Sequence, residues 1–202
     1  HIVVLRGDMP DMGSFKPHPD GYSSSVELVK TIKQHGCFDI TVSAYPEKHP
    51  ESSSFETDIN LLKAKIDAGA DQAITQFAFD TDLYLIFRDK LVADGINIPL
   101  IPGIMPTTNF KGVQNMAEKC GTSIPEWLSA QYTGLEDDFE RRQEISIKVA
   151  VDQCRKLISE GFDQLHFYTL NQHKVICKVC NILGLGAESE LGKDLTGLRK
   201  KK

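Results

Sequence analysis

Four short segments carry side chains that could do chemistry together. Arg6-Gly7-Asp8 directly follows a short apolar run. The glycine lets backbone approach a ligand closely. The arginine can hold a phosphate or carbonyl through two donors, and the aspartate offers an anion beside them. A salt-bridged turn is the plainer reading of the same residues. Tyr45-Pro46-Glu47-Lys48-His49-Pro50-Glu51 sets a tyrosine four residues before a histidine. The tyrosine can stack on a flat ring or donate through its hydroxyl, and the prolines stiffen the loop. A purely structural loop fits the composition equally. Asp58 and Lys65 stand seven residues apart, close to two helical turns, so they share a face. That face is either solvated or part of a site. Gln76, in Ile74-Thr75-Gln76-Phe77, offers donors and an acceptor that suit an amide-containing heterocycle, or that satisfy nearby backbone.

Other chemistries are not supported. Cys177-x-x-Cys180 lies on a helical stretch with His173 one turn earlier, whereas a metal or redox site needs more ligands or a strand-to-helix junction. There is no G-x-G-x-x-G, G-x-x-x-x-G-K-[ST] or G-x-S-x-G, so neither a Rossmann, a P-loop nor a nucleophile-elbow site is indicated. No metal site is expected.

These residues sit at the ends of elements that alternate along the chain. Strands are expected at His1–Leu5, Asp39–Tyr45, Gln72–Phe77, Ile98–Pro102 and Leu165–Tyr168. Helices are expected at Val26–His35, Phe55–Ala68, Leu83–Ala93, Val113–Lys119, Pro125–Gln131, Asp138–Ser159 and Val175–Leu183. Ser53 and Glu56 suggest a capping box, and Gly69 a stop. The strands are near-continuously apolar, as strands covered on both faces are. Regular β-α alternation predicts a parallel α/β sheet, either doubly wound or part of a (β/α)8 barrel; both place ligands at strand carboxyl ends.

Composition sets outer limits. The 202 residues carry a net charge of −5, which gives no global bias towards nucleic acid or anionic membrane. No apolar run approaches the roughly 20 residues of a membrane span. The five cysteines are an odd number in a chain without a secretory signal, so reduced thiols in the cytoplasm are expected. The chain opens inside an apparent strand, which reads as a cut.

Taken in order, Leu5-Arg6-Gly7-Asp8, Ala44-Tyr45-Pro46-Glu47-x-His49-Pro50-Glu51, Asp67-Ala68-Gly69-Ala70-Asp71-x-x-Ile74-Thr75-Gln76-Phe77, Ile101-Pro102-Gly103-Ile104-x-Pro106 and His166-Phe167-Tyr168-Thr169-Leu170-Asn171 form a series. It closely resembles the methylenetetrahydrofolate reductase family. The resemblance implies an incomplete (β/α)8 TIM barrel over residues 1–187, about strands four to eight; from Glu188 the composition itself turns polar and loses periodicity, so a disordered polar and basic tail is expected at 188–202. The resemblance also implies FAD at the strand carboxyl ends, reduced by NADH or NADPH. Methylenetetrahydrofolate then occupies the same place and is reduced to methyltetrahydrofolate, in one-carbon and methionine metabolism. A homo-oligomer is implied for the full-length protein. By position, Arg6, Gly7 and Asp8 lie along the flavin, and Ser25, Tyr45, His49, Asp58 and Lys65 contact it. Asp8 and Gln76 serve catalysis and the folate; a negative charge at Asp8 would help stabilise a cationic folate.

Three departures accompany the resemblance. Gln172 stands where the family usually has an arginine that helps hold the folate tail, and an amide cannot replace a charged fork. Gly112 stands where bacterial members often carry a folate-contacting glutamine. The family's general acid, a glutamate ending the first barrel strand, has no counterpart here, so the chain alone is expected to be inactive. A half-barrel that acts as a binding or assembly partner is the alternative from another class.

Overall fold

The computed structural model describes residues 1–7 and 15–185. Asp8 and the expected tail at 188–202 lie outside the described residues. Strands β1 (Ile2–Val4), β2 (Ile40–Ala44), β3 (Gln72–Phe77), β4 (Leu100–Ile104) and β5 (His166–Phe167) alternate with helices. The helices are α1 (Ser25–His35), α2 (Phe55–Asp67), α3 (Thr81–Ala93), α4 (Phe110–Cys120), α5 (Glu126–Tyr132), α6 (Phe139–Ser159) and α7 (His173–Ile182).

Several expected bounds shift by small amounts, the largest being α4, which starts at Phe110 and not Val113. The fourth strand begins at Leu100, not Ile98, because Pro99 has no N–H to give a ladder. The α2 cap is Ser54, whose hydroxyl accepts from the Thr57 amide at 3.2 Å. Glu56 then falls one position short of the capping-box site expected from Ser53.

The chain forms two compact units. The first comprises His1–Gln76 and Leu83–Pro102. Its strands β1, β2 and β3 pair in parallel, with Val3 opposite Thr41, Thr41 opposite Gln72, and Ser43 opposite Ile74. Side chains alternate across the pleat. Val4, Ile40, Val42, Ala44 and Ala73 pack with Val29, Ile59, Leu62, Phe87 and Leu91 of the helices. Each such large apolar side chain contributes about 1.5–3 kcal/mol on burial. The other face is polar: Gln72 donates to Thr41 Oγ1 at 2.7 Å, and that oxygen also meets His1 Nε2 at 2.7 Å. Gly69 ends α2 with φ +114, a conformation that favours glycine.

The second unit comprises Phe77–Asp82 and the chain from Gly103 on. Phe77, Phe79, Met105, Phe110, Val113, Leu128 and Tyr132 form its core, with the Phe110 and Tyr132 rings stacked at 4.3 Å. Strand β4 pairs in parallel with β5, Gly103 opposite His166. The buried Gln153 amide donates to the Ala78 carbonyl at 2.7 Å, which ties α6 to the segment after β3.

The five strands lie in chain order, β1-β2-β3-β4-β5. A doubly wound sheet reverses order at a switch point; a (β/α)8 barrel does not. The β-α alternation left these two open and the resemblance implied the barrel; strand order bears out the incomplete (β/α)8 barrel. Among the described residues no helix is long and apolar enough to cross a membrane.

Candidate functional site

The polar cluster of the first unit is built from the end of β2 outward. Strand β2 delivers Tyr45 directly after Ala44, and the Tyr45 ring meets the His49 ring edge-on at 4.6 Å. The His49 amide donates to an Asp58 carboxylate oxygen at 2.8 Å. The Ser52 hydroxyl donates to the other oxygen in a short hydrogen bond. Asp58 stands in the first turn of α2, where a carboxylate also complements the helix dipole. One side chain therefore ties the loop to the helix that follows it. The Glu51 amide donates to His49 Nδ1 at 3.1 Å. In a neutral ring that puts the proton on Nε2.

Arg6 joins through the same loop. Its two terminal nitrogens donate to the two Glu51 carboxylate oxygens at 2.6 and 3.1 Å. Its guanidinium also lies 4.9 Å from the centre of the Phe15 ring, a cation–π distance. The hydrogen bond from Arg6 holds the Glu51 carboxyl below the usual carboxylate range. The salt-bridged turn is thus real, and its partner is Glu51.

Lys65 lies deepest. It is only 4% exposed and donates to the Ser43 carbonyl at 2.9 Å and the Ser43 hydroxyl at 3.2 Å. Burial lowers its pKa to about 8; the Asp58 carboxylate opposes the shift and the Arg6 charge adds to it. An ammonium has three N–H donors, so among the described residues one is left over. Asp58 is buried as well, so the shared helix face is not a solvated one. Ammonium, guanidinium, hydroxyls and an imidazole N–H together form a donor set suited to a phosphate ester with a polyol, and in that sense the residues fit FAD.

The remaining expected residues are less closely tied. Gln76 is half-buried on β3. Ala44 pairs with Thr75, so Tyr45 and Gln76 come next on two neighbouring strands. Gly7 takes φ +78, a turn conformation that glycine adopts without strain. Ser25 opens α1 just after the capping Ser24, and no described hydrogen bond ties it to the cluster. Sequence reasoning missed Ser43 and the partner roles of Glu51 and Ser52. For Ser43 the signal was visible: β2 reads Ile-Thr-Val-Ser-Ala, with polar residues at alternate positions of a strand.

The two substituted positions, Gln172 and Gly112, lie in the second unit. Gln172 is the α7 N-cap residue and makes no side-chain cap bond. Gly112 donates its amide to Asn109 Oδ1 at 3.2 Å, and a Cβ there would lie 2.7 Å from Asn109 Nδ2. All five cysteines are free thiols. Burial pushes the Cys154 thiol up to about 12, which marks a packing residue, not a nucleophile.

The family profile described as methylenetetrahydrofolate reductase matches residues 1–184. The 5,10-methylenetetrahydrofolate reductases of Pectobacterium carotovorum and Escherichia coli K12 are each 45% identical over 185 residues. That is 92% of this chain and 60% and 61% of theirs. The Arabidopsis thaliana protein named methylenetetrahydrofolate reductase (NADH) 1 is 37% identical over 207 residues, covering 96% of this chain and 35% of its own. A solved Clostridium thermocellum protein that binds two copies of 5-methyl-5,6,7,8-tetrahydrofolic acid aligns with a TM-score of 0.49 and 17% identity, over 76% of this chain and 57% of its own. Likeness at that level speaks to neither ligand nor mechanism. The chain thus spans about three fifths of the length of its bacterial relatives. With the profile matched from His1 to Gly184 and nearly half the residues shared with those relatives, the chain belongs to the methylenetetrahydrofolate reductase family.

Proposed function

We propose that this chain supplies the flavin-holding strand ends of an enzyme that reduces 5,10-methylenetetrahydrofolate to 5-methyltetrahydrofolate with NADH or NADPH. The observation that carries the reading is Lys65, a buried ammonium bonded to one serine and set beside the Asp58–His49–Tyr45 chain. In this reading Lys65 and Asp58 hold the phosphate and ribityl part of FAD. Arg6 and Gly7 lie along it, Tyr45 and His49 contact it, and Ser25 adds a hydroxyl. When bound, FAD supplies the hydride chemistry.

The chain's own residues bind, orient and set charge. Lys65, with a pKa of about 8, stays mostly charged at neutral pH and so matches a phosphate. With Nδ1 accepting from the Glu51 amide, the His49 ring has Nε2–H to offer. Gln76 presents donors and an acceptor to an amide-bearing ring. Asp8 would put a carboxylate near a cationic folate. The five strands correspond to the later part of an eight-stranded barrel, and we assign no general acid to any residue of this chain. All five cysteines being thiols suits a reducing cytoplasm.

The test is flavin retention. The chain is loaded with FAD and desalted, alone and after complementation with the segment of the Escherichia coli relative that lies outside the aligned region. Flavin absorbance and NADH oxidation with a quinone acceptor are expected only from the complemented pair. They should be lost on Lys65→Glu. Turnover by the chain alone would overturn the incompleteness, and failure of the pair to hold flavin would overturn the cofactor assignment.

A further inference from the structure

Two thiols of α7 stand apart from the site described above. Cys177 is exposed and Cys180 half-buried, and both belong to one continuous helix, His173–Ile182. The radius and rise of an α-helix put such residues about 5 Å apart between Cα atoms. That lies inside the roughly 4.4–6.8 Å a disulfide spans. Their Cβ atoms lie about 5–6 Å apart, and a disulfide needs roughly 3.5–4.5 Å. Closure therefore draws one turn in the second half of α7 together by about 1–2 Å.

The fold adds a third sulfur that the spacing does not show. Cys154 of α6 interacts with Cys180, and Cys180 with Cys177, so the three thiols run from core to surface. Burial assigns their roles. Cys154 is 0% exposed, and burial pushes its pKa up to about 12; the thiolate is the nucleophile, so Cys154 does not attack. Burial, and the neighbouring Cys177, raise the Cys180 thiol as well. Cys177, at the surface, is the thiol that a reagent meets first. The face around it selects that reagent. His173, Lys174 and Lys178 are exposed beside it, and α7 contains no carboxylate. Lys178 donates to the neutral Gln143 amide oxygen at 3.3 Å. No described ion pair neutralises either lysine. The whole chain has a net charge of −5, so this is a local cationic face on an anionic protein, and it draws a reagent of negative charge.

We propose that Cys177 and Cys180 form a reversible dithiol–disulfide site whose oxidant is an anionic low-molecular-weight disulfide of the glutathione disulfide kind. The Cys177 thiolate attacks one sulfur of the reagent, forming a mixed disulfide and releasing one thiolate. The Cys180 thiolate then attacks Cys177 Sγ, closing the protein disulfide and releasing the second. Two protein thiols are oxidised, one reagent disulfide is reduced to two thiols, and the two protons pass through solvent to the departing sulfurs. Its raised pKa slows the Cys180 step, and the intramolecular geometry offsets this. The tightened turn leaves the product easily reduced, as a transient disulfide in a reducing compartment is. No residue of the proposed flavin site takes part.

The test uses the full chain, reduced and then treated with glutathione disulfide or with cystamine, a cationic disulfide. Remaining thiols are alkylated and the peptides mapped by mass spectrometry. The expected product carries a Cys177–Cys180 bridge, reached through a glutathione adduct on Cys177, and Cys180→Ser should stop at that adduct. At low ionic strength glutathione disulfide should oxidise the pair about 10-fold faster than cystamine, each rate taken relative to an uncharged model thiol. Salt at about 1 M should remove the difference. Lys174→Glu combined with Lys178→Glu, both on the exposed face, should reverse the order. A first bridge between Cys180 and Cys154 overturns the proposal, as does an adduct on Cys177 that never closes, or cystamine reacting as fast. These three readings come from the parent chain and stand even where a variant does not fold.

Discussion

The Lys65 ammonium bonds twice to a single residue, the carbonyl and the hydroxyl of Ser43, at 2.9 and 3.2 Å. That joins the last turn of α2 to β2 and keeps a charge away from water. Its folded pKa, about 8, lies below the ordinary 10.5, chiefly through burial. Between those values the unfolded chain holds more protons, so stability rises with pH across the window. Below about pH 8 the lysine is charged in both states and the burial cost is fully present; above the ordinary value it is gone. Measured against Lys65→Met by urea unfolding, the parent should therefore improve by roughly 3 kcal/mol between neutral pH and the top of the window. A stability difference that stays flat over that range would show that Lys65 keeps an ordinary pKa.

Asp58 supports the loop, and its removal should be felt there. Both of its oxygens are taken, by the His49 amide and the Ser52 hydroxyl. Asparagine keeps the shape but has one acceptor oxygen, so one donor loses its partner. Asp58→Asn should cost about 1–3 kcal/mol and speed hydrogen exchange at the His49 amide. Glu51→Gln, by contrast, breaks a surface pair with Arg6, and such pairs contribute little. Its melting temperature should match the parent's. Equal exchange rates at His49 in parent and Asp58→Asn would contradict the tie.

What the sequence made legible follows from local physics. Strand and helix positions were readable because apolar spacing differs between a pleated strand and a helix. The cluster of Tyr45, His49, Asp58 and Lys65 was readable as family positions, though their bonds were not. Ser43 sits 22 positions from Lys65, and no local pattern announces such a pair. Strand order, which decides between an open sheet and a barrel, is likewise set by long-range pairing. The Thr108 hydroxyl and Arg142 Nε, unpartnered among the described residues, were invisible for a further reason, since the absence of a bond leaves no trace in residue order.

Thr108 gives a prediction in which removing a polar atom stabilises the fold. Its hydroxyl is buried without a partner among the described residues. Valine has nearly the same shape and no polar atom to leave unpaired. Thr108→Val should raise stability by about 1–3 kcal/mol in urea unfolding. A variant less stable than the parent would mean that the hydroxyl is bonded in solution.

The edge of the sheet supplies the last prediction. Strand β1 ends the order of strands, and it turns Val3 and Leu5, 50% and 58% exposed, away from the helices that cover Val4. An edge strand with exposed apolar side chains is a template for pairing with another chain. The chain studied alone should therefore show a light-scattering mass that rises with concentration. Replacing Val3 and Leu5 with lysine puts charge on the edge, the usual block to such pairing. It leaves the Val4 side of the core untouched, so the double variant should stay monomeric with an unchanged melting temperature. Complementation with the remaining part of a relative's barrel should suppress association of the parent in the same way, because the same edge would then be paired. A parent that stays monomeric at every concentration would mean that this edge is already covered within the chain itself.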